Sequence, residues 1–119
     1  MENRLTYTEY KGCKDILAID LHNNYTVIAI KSWNHENNNY SVELRLKENT
    51  VEKWDLIEDA ENLVFNVDYR IINKAILKQV STLLSDGFFD YYIQRYEYEL
   101  KCFDMGIDIA ERFSGTNAS

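Results

Sequence analysis

The chain has 119 residues, a hydrophobic share of 45%, a charged share of 28% and a net charge of −7. That length suits one domain with a real core, burying roughly two-thirds of the surface its unfolded chain would expose. No run approaches the ~20 apolar residues of a membrane span, the opening MENRLTYTEYKG carries no apolar signal core, and the acidic balance opposes nucleic acid, whose phosphates need lysine or arginine to displace counterions.

These features predict a cytosolic protein. There is no proline and only four glycines, so little of the chain reads as linker. Residues 1–119 are expected to form a single domain, with residues 1–13 as an N-terminal lead. Cys13 and Cys102 are too few for a disulfide framework and are expected as free thiols.

Asp15–His22 (DILAIDLH) and Tyr25–Trp33 (YTVIAIKSW) are rich in β-branched residues and predict two strands. Asn23 and Asn24 stand between them, and asparagine tolerates positive φ, so a two-residue hairpin turn is expected. The polar NHENNN at 34–39 reads as a loop. Tyr40–Lys47 then alternates strictly, with Tyr40, Val42, Leu44 and Leu46 on one side and Ser41, Glu43, Arg45 and Lys47 on the other. That period predicts a strand with one solvated face. Thr50–Ile57 places Trp54 and Leu56 together and reads as a fourth strand, with a short helix as the alternative. Residues 14–58 thus form an antiparallel meander.

From Asp68 the period changes. Ile72, Ala75, Ile76, Gln79, Val80 and Leu83 recur at helical spacing, Asp68 is suited to cap them, and Gly87 to close them. A second helix follows, in which Phe89, Ile93, Tyr96, Leu100, Phe103, Ile107 and Ala110 make a continuous stripe. Tyr91 and Tyr98 lie on a neighbouring face with Cys102, Met105 and Ile109, and Tyr92 lies between the two faces. The helix is therefore apolar over more than half its girth. Three arrangements would cover it: a position between the sheet and the first helix, a homodimer seam, or docking on another protein. The two helices occupy 68–113, and 114–119 reads as a frayed tail. The fold class expected is α+β, a four-stranded antiparallel sheet followed by two C-terminal helices packed on one face.

Chemistry-bearing motifs are sparse. The four glycines stand apart, so no phosphate loop forms. Cys13, Cys102, His22 and His35 lack zinc-ligand spacing. A Cys13–His22 nucleophile pair is the one thiol–imidazole candidate. Glu52 with Asp55, or Glu58 with Glu61, could be drawn as a glycosidase-like pair but read better as a solvated acidic edge. Asp55, Glu58, Asp59 and Glu61 lack the spacing of a calcium loop. Arg45 and Lys47, with Lys31 and Trp33 on the preceding strand, could offer a basic and aromatic sheet face to single-stranded nucleic acid. No cofactor, metal or enzymatic activity is expected.

Residues 1–47 hold six acids and six bases, whereas 48–119 hold fourteen acids and seven bases. The expected partner is another protein with a basic surface. Glu48, Glu52, Asp55, Glu58, Asp59 and Glu61 would attract it, and Tyr91, Tyr92 and Tyr98 would anchor it.

In size, acidity, the asparagine-rich NHENNN and the tyrosine-dense FFDYYIQRYEYELKCFD, the chain resembles small acidic phage and mobile-element proteins of the anti-CRISPR type. The resemblance implies a non-enzymatic inhibitor or adaptor in a bacterial host cytosol, binding a nuclease complex. The alternative is a homo-oligomeric structural or accessory protein with the tyrosine-rich helix as its seam.

Overall fold

A computed structural model describes residues 5–104. Its elements are β1 (Tyr7–Tyr10), β2 (Cys13–Asp20), β3 (Tyr25–Asn34), β4 (Asn39–Glu48), β5 (Asp55–Leu56), a 3₁₀ turn (Glu58–Ala60), β6 (Leu63–Phe65), α1 (Ile72–Ser85) and α2 (Phe88–Asp104). The class is α+β, an antiparallel sheet followed by two helices. The chain divides into two compact units, Met1–Leu83 and Leu84–Ser119. The first holds the sheet and most of α1, and the second holds α2.

The sheet has six strands where four were expected. Its order is β1-β2-β3-β4-β5, with β6 also paired to β4. β1 lies in the predicted lead, where YTEY is too short and polar to show a strand period. β5 and β6 line the same edge of β4, at Arg45–Leu46 and at Tyr40–Val42. They are one edge strand interrupted at Ile57–Asn62, where the chain leaves the ladder for the 3₁₀ turn. Ile57 N–H still donates to Leu44 O at 3.4 Å, and Ile57 and Ala60 are buried. An interrupted strand offers little continuous edge to a foreign strand. Residues 50–57 therefore contain a strand, but only two residues of it.

The hairpin joining β2 to β3 is longer than predicted. Leu21 N–H donates to Tyr25 O at 3.0 Å across Leu21–Asn24. His22 and Asn24 take positive φ of 62° and 74°. Side-chain oxygens hold the loop, Asp20 accepting from His22 N–H at 2.9 Å and Asn23 from Tyr25 N–H at 3.2 Å. The asparagine-rich turn is placed as predicted, with Asn34 opposite Asn39 and Asn38 at φ 52°.

Register fixes which side chains share a face. Val27 opposes Leu46, Ala29 opposes Leu44 and Lys31 opposes Val42. Leu17 and Ile19 extend this face, through Ala29 and Val27, and all of them but Lys31 are buried. Lys31 Nζ donates to Asn73 Oδ1 at 2.7 Å, which sets the start of α1 over it. Ile72, Ile76 and Val80 are the buried stripe of α1. Asp68 caps the approach, its Oδ1 accepting Arg70 N–H at 2.8 Å and its Oδ2 accepting from the Arg70 guanidinium at 2.9 Å. Gly87, at φ 78°, closes α1 in the left-handed conformation that glycine adopts without steric cost.

The opposite face carries Ile16, Ala18, Ile28 and Ile30, against Ser41, Glu43, Arg45 and Lys47. The four polar residues were expected in solvent, but all are half-buried, and Ile28 has no exposure. The sheet is coiled. Flat strands about 4.8 Å apart would hold β1 and β5 about 19 Å apart. Instead the rings of Tyr10 and Trp54, at opposite edges, meet edge to face with centroids 4.9 Å apart. Alternation from Asp55, opposite Leu46, turns the Trp54 ring over the Ile28 face, and the Tyr10 ring meets it there.

Two measurements test this architecture. Ile28→Ala should cost about 2–5 kcal/mol in urea denaturation, the range for a buried isoleucine, whereas a solvated face would keep the cost within about 0.5 kcal/mol. The hydrogen bonds from Arg70 hold the Asp68 carboxyl below its ordinary value. A depressed folded value gives stability that is full above the unfolded aspartate value of about 3.9 and lost as pH falls through and below it. Asp68→Ala should therefore lower the urea midpoint at pH 7, and the gap to the parent should narrow as pH falls below about 4.

Candidate functional site

The six candidate acids do not form one surface. Glu48 ends β4 half-buried, and its carboxylate accepts from the Thr50 backbone N–H at 3.2 Å and from the Thr50 hydroxyl. It shapes a turn. Asp55 is half-buried, with Oδ1 3.5 Å from Lys53 Nζ. Its Oδ2 is buried without a hydrogen-bond partner among the described residues, as is Trp54 Nε1. Glu52 is exposed and engaged, 3.4 Å from Lys11 Nζ and accepting from the Tyr10 hydroxyl at 3.3 Å. The Lys11 ammonium, then the hydrogen bonds from Lys11 and Tyr10, hold the Glu52 carboxyl below its ordinary value, and the carboxylate in turn raises Lys11.

The other three acids sit where the edge strand breaks. Glu58 and Asp59 open the 3₁₀ turn and Glu61 follows it, all exposed. Their clustering follows from the interruption, since a turn leaving the ladder points successive side chains outward. Glu61 also borders a shallow depression of about 200 Å³, with Ile30, Ser32, Ser41, Val42 and Glu43. Ser41 Oγ there donates to Asn62 Oδ1 at 2.7 Å, and Glu43 is held by Arg45 at 2.6 Å.

The tyrosines belong to the second unit. Tyr91 and Tyr98 are 63% and 69% exposed, and Tyr92 is half-buried. Rings run along the start of α2 from Phe89 to Phe88 at 5.3 Å, to Tyr92 at 5.2 Å and on to Tyr91 at 5.2 Å. Phe89 is fully buried, and Ile93 and Tyr96 of the same stripe are half-buried. The side chains of Leu100, Cys102 and Phe103 lie outside the described residues, as do Met105, Ile107, Ile109, Ala110 and the tail at 114–119.

Register dismantles the basic and aromatic sheet face. Lys31 and Trp33 share the face of Val42 and Tyr40, whereas Arg45 and Lys47 lie on that of Ile28 and Thr26. Two strands side by side do not ensure a common face, because parity also counts. Lys31 is committed to α1, and burial there disfavours its charge and lowers its pKa despite Asp15 and Glu9. Arg45 holds Glu43, and Lys47 donates to the carbonyls of Glu48 and Asn49. Trp33 stacks edge-on with Tyr40 at 4.9 Å and donates to His35 Nδ1 at 3.1 Å.

The Cys13–His22 pair also fails. Cys13 begins β2 and His22 lies beyond its end, so a strand rising about 3.3 Å per residue holds them at opposite ends of the sheet. Among the described residues, no three His, Cys, Asp or Glu side chains are arranged to hold a metal ion, and no helix is long and apolar enough to cross a membrane.

What sequence reasoning missed is the junction of Tyr10, Lys11, Glu52 and Trp54. Its two halves are more than 40 positions apart and lie on no shared period. Comparison with protein-family models, with curated proteins and with solved structures finds no match for the chain.

Single truncations separate core from surface on α2. Phe89→Ala should destabilise by about 3–5 kcal/mol, whereas Tyr91→Ala and Tyr98→Ala should each stay within about 0.5 kcal/mol. Chemical denaturation of the three variants measures this, and a large loss at either tyrosine would reassign it to the core.

Proposed function

We propose that this chain is a non-enzymatic binding module that docks on a basic surface of a larger protein, such as a nucleic-acid-binding nuclease of the CRISPR type. The observation that carries the reading is the exposure of Tyr91 and Tyr98, seven residues apart on one side of α2. Tyrosine suits interfaces because its ring gains from desolvation while its hydroxyl stays wet. The exposed acids Glu58, Asp59 and Glu61 supply the second part. Charge of this kind mainly accelerates encounter, and a few aromatic anchors carry most of the affinity. Glu48, Glu52 and Asp55 contribute less, because each is held within the fold.

Surface-immobilised candidate nuclease complexes, with and without bound nucleic acid, provide the test. Replacing Glu58 and Glu61 by lysine should slow association about tenfold at low salt and leave the urea midpoint unchanged. Tyr91→Ala and Tyr98→Ala should each weaken binding about tenfold or more, chiefly through faster dissociation. A partner indifferent to both sets of substitutions would overturn the reading.

The same exposed tyrosines favour a second reading, a homodimer seam of the symmetric kind. Sedimentation equilibrium distinguishes the two. A dimer that Tyr98→Ala returns to monomer supports the seam, and a monomer at high concentration removes it.

A further inference from the structure

We propose that the tip of the β1–β2 hairpin and the segment leading into β5 form a latch, which opens and closes the coiled sheet over its Ile28 face. This inference is independent of the docking reading. Four observations carry it.

The first is topological. β1 pairs with β2 and β5 with β4, and no backbone ladder joins the two edges among the described residues. Their union rests on side chains: the Tyr10–Trp54 ring contact at 4.9 Å, the Tyr10 hydroxyl on Glu52 at 3.3 Å and the Lys11–Glu52 ion pair at 3.4 Å. The ion pair is open to water, its side chains 70% and 78% exposed, and pairs so placed are weak and salt-sensitive.

The second is a hinge. Pairing runs from Glu9 opposite Leu17 to Tyr10 opposite Cys13, so Lys14, Asp15 and Ile16 have no β1 partner. Such a bulge bends a strand and uncouples what lies beyond it. Lys11 and Gly12 follow with φ of 51° and 79°. The tip is therefore set apart from the ladder that anchors the rest of β1.

The third is the shortness of the other jaw. β5 has two paired residues, Asp55 and Leu56, so Trp54 stands at the end of a minimal ladder. The fourth is the indole itself. Trp54 Nε1 is buried without a hydrogen-bond partner among the described residues. Opening would hydrate this N–H, which offsets part of what parting the two rings costs. A junction held by weak links and opposed by an orphaned donor is suited to reversible opening, and what it uncovers is the face bearing Ile28, sealed to zero exposure in the closed form.

The test reads Trp54 directly, since Trp33 is the only other tryptophan. In a Trp33→Phe background, acrylamide quenching reports access to Trp54. Raising sodium chloride to about 1 M, which cuts the screening length to about 3 Å, should increase the quenching constant about twofold with far-ultraviolet circular dichroism unchanged. Lys11→Glu should do the same at low salt, and adding Glu52→Lys should restore the closed value. The unsubstituted chain labelled with 5-fluorotryptophan gives an independent readout, in which the Trp54 resonance should move with salt while that of Trp33 holds still. A Trp54 signal indifferent to salt and to Lys11→Glu, or a double reversal that fails to restore it, would overturn the latch.

Discussion

The ten-residue ladder between β3 and β4 is the constraint on which the first unit depends, because it fixes the parity of every side chain on both strands. With Val27 set against Leu46 and Ala29 against Leu44, one face becomes the apolar bed for α1. With β4 held in place, a slip of one residue would turn Ile28 and Ile30 toward the helix and Val27 and Ala29 away from it. The neighbours follow from the same parity, Leu17 and Ile19 through β2, and Leu63 and Phe65 through β6. Even the polar tie from Lys31 to Asn73 is a consequence, since Lys31 falls on the helix side. Its charge is disfavoured there by burial, and a hydrogen bond to the Asn73 carboxamide compensates.

Coiling is the second constraint. A sheet covered by a helix on one side leaves its other face to water unless it folds over itself. Here that face is neither apolar nor solvated: Ile28 is sealed while Ser41, Glu43, Arg45 and Lys47 stay half-buried. Arg45 and Glu43 tolerate the position because each satisfies the other, at 2.6 Å. The long stems of arginine and lysine can cover apolar surface while their heads reach water. The interruption of the edge strand belongs to the same geometry. The slack between Ile57 and Leu63 keeps β4 paired at both ends and pushes Glu58, Asp59 and Glu61 outward.

Much of this is legible in the sequence. Period two over Tyr40–Lys47, the β-branched runs before it and the 3.6 period from Ile72 each specify an element, because a half-buried strand or helix must repeat its apolar side chains at its own pitch. Asp68 and Gly87 act as local chemistry demands. What escapes is short or distant. YTEY and LVF are strands only because a neighbour's edge recruits them, and nothing in three or four residues announces that. The meeting of Tyr10 with Trp54 depends on accumulated twist across five strands. The candidate site suffers similarly. That Tyr91 and Tyr98 lie off the Phe89–Ile93–Tyr96 stripe is readable from their spacing, but their exposure is not, because three arrangements would cover that face, and neither is the division of the acids. Glu48, Glu52 and Asp55 look equivalent to Glu58 and Glu61 in composition, and only the turns and partners around them show which are committed.

That division bears on how a surface with a net charge of −7 could recognise anything. A basic group drawn to Glu52 finds Lys11 already there, exposed and at 3.4 Å. Exchanging one solvated ammonium for another changes the Coulomb energy little, so Glu52 discriminates poorly among cations. Glu58 and Glu61 have no ion pair among the described residues, but they are equally solvated, and their attraction falls off within a screening length at physiological salt. Acidity of this kind shapes the rate of encounter more than the lifetime of a complex. Persistence has to come from apolar surface removed from water, and the large apolar side chains most open to it include Tyr69, Tyr98, Tyr91 and Val64. Two of these four lie on a single helix at a spacing of seven. On the docking reading proposed above, that arrangement would make α2 the stronger determinant of residence time and leave the acids of the broken edge strand as the steering element.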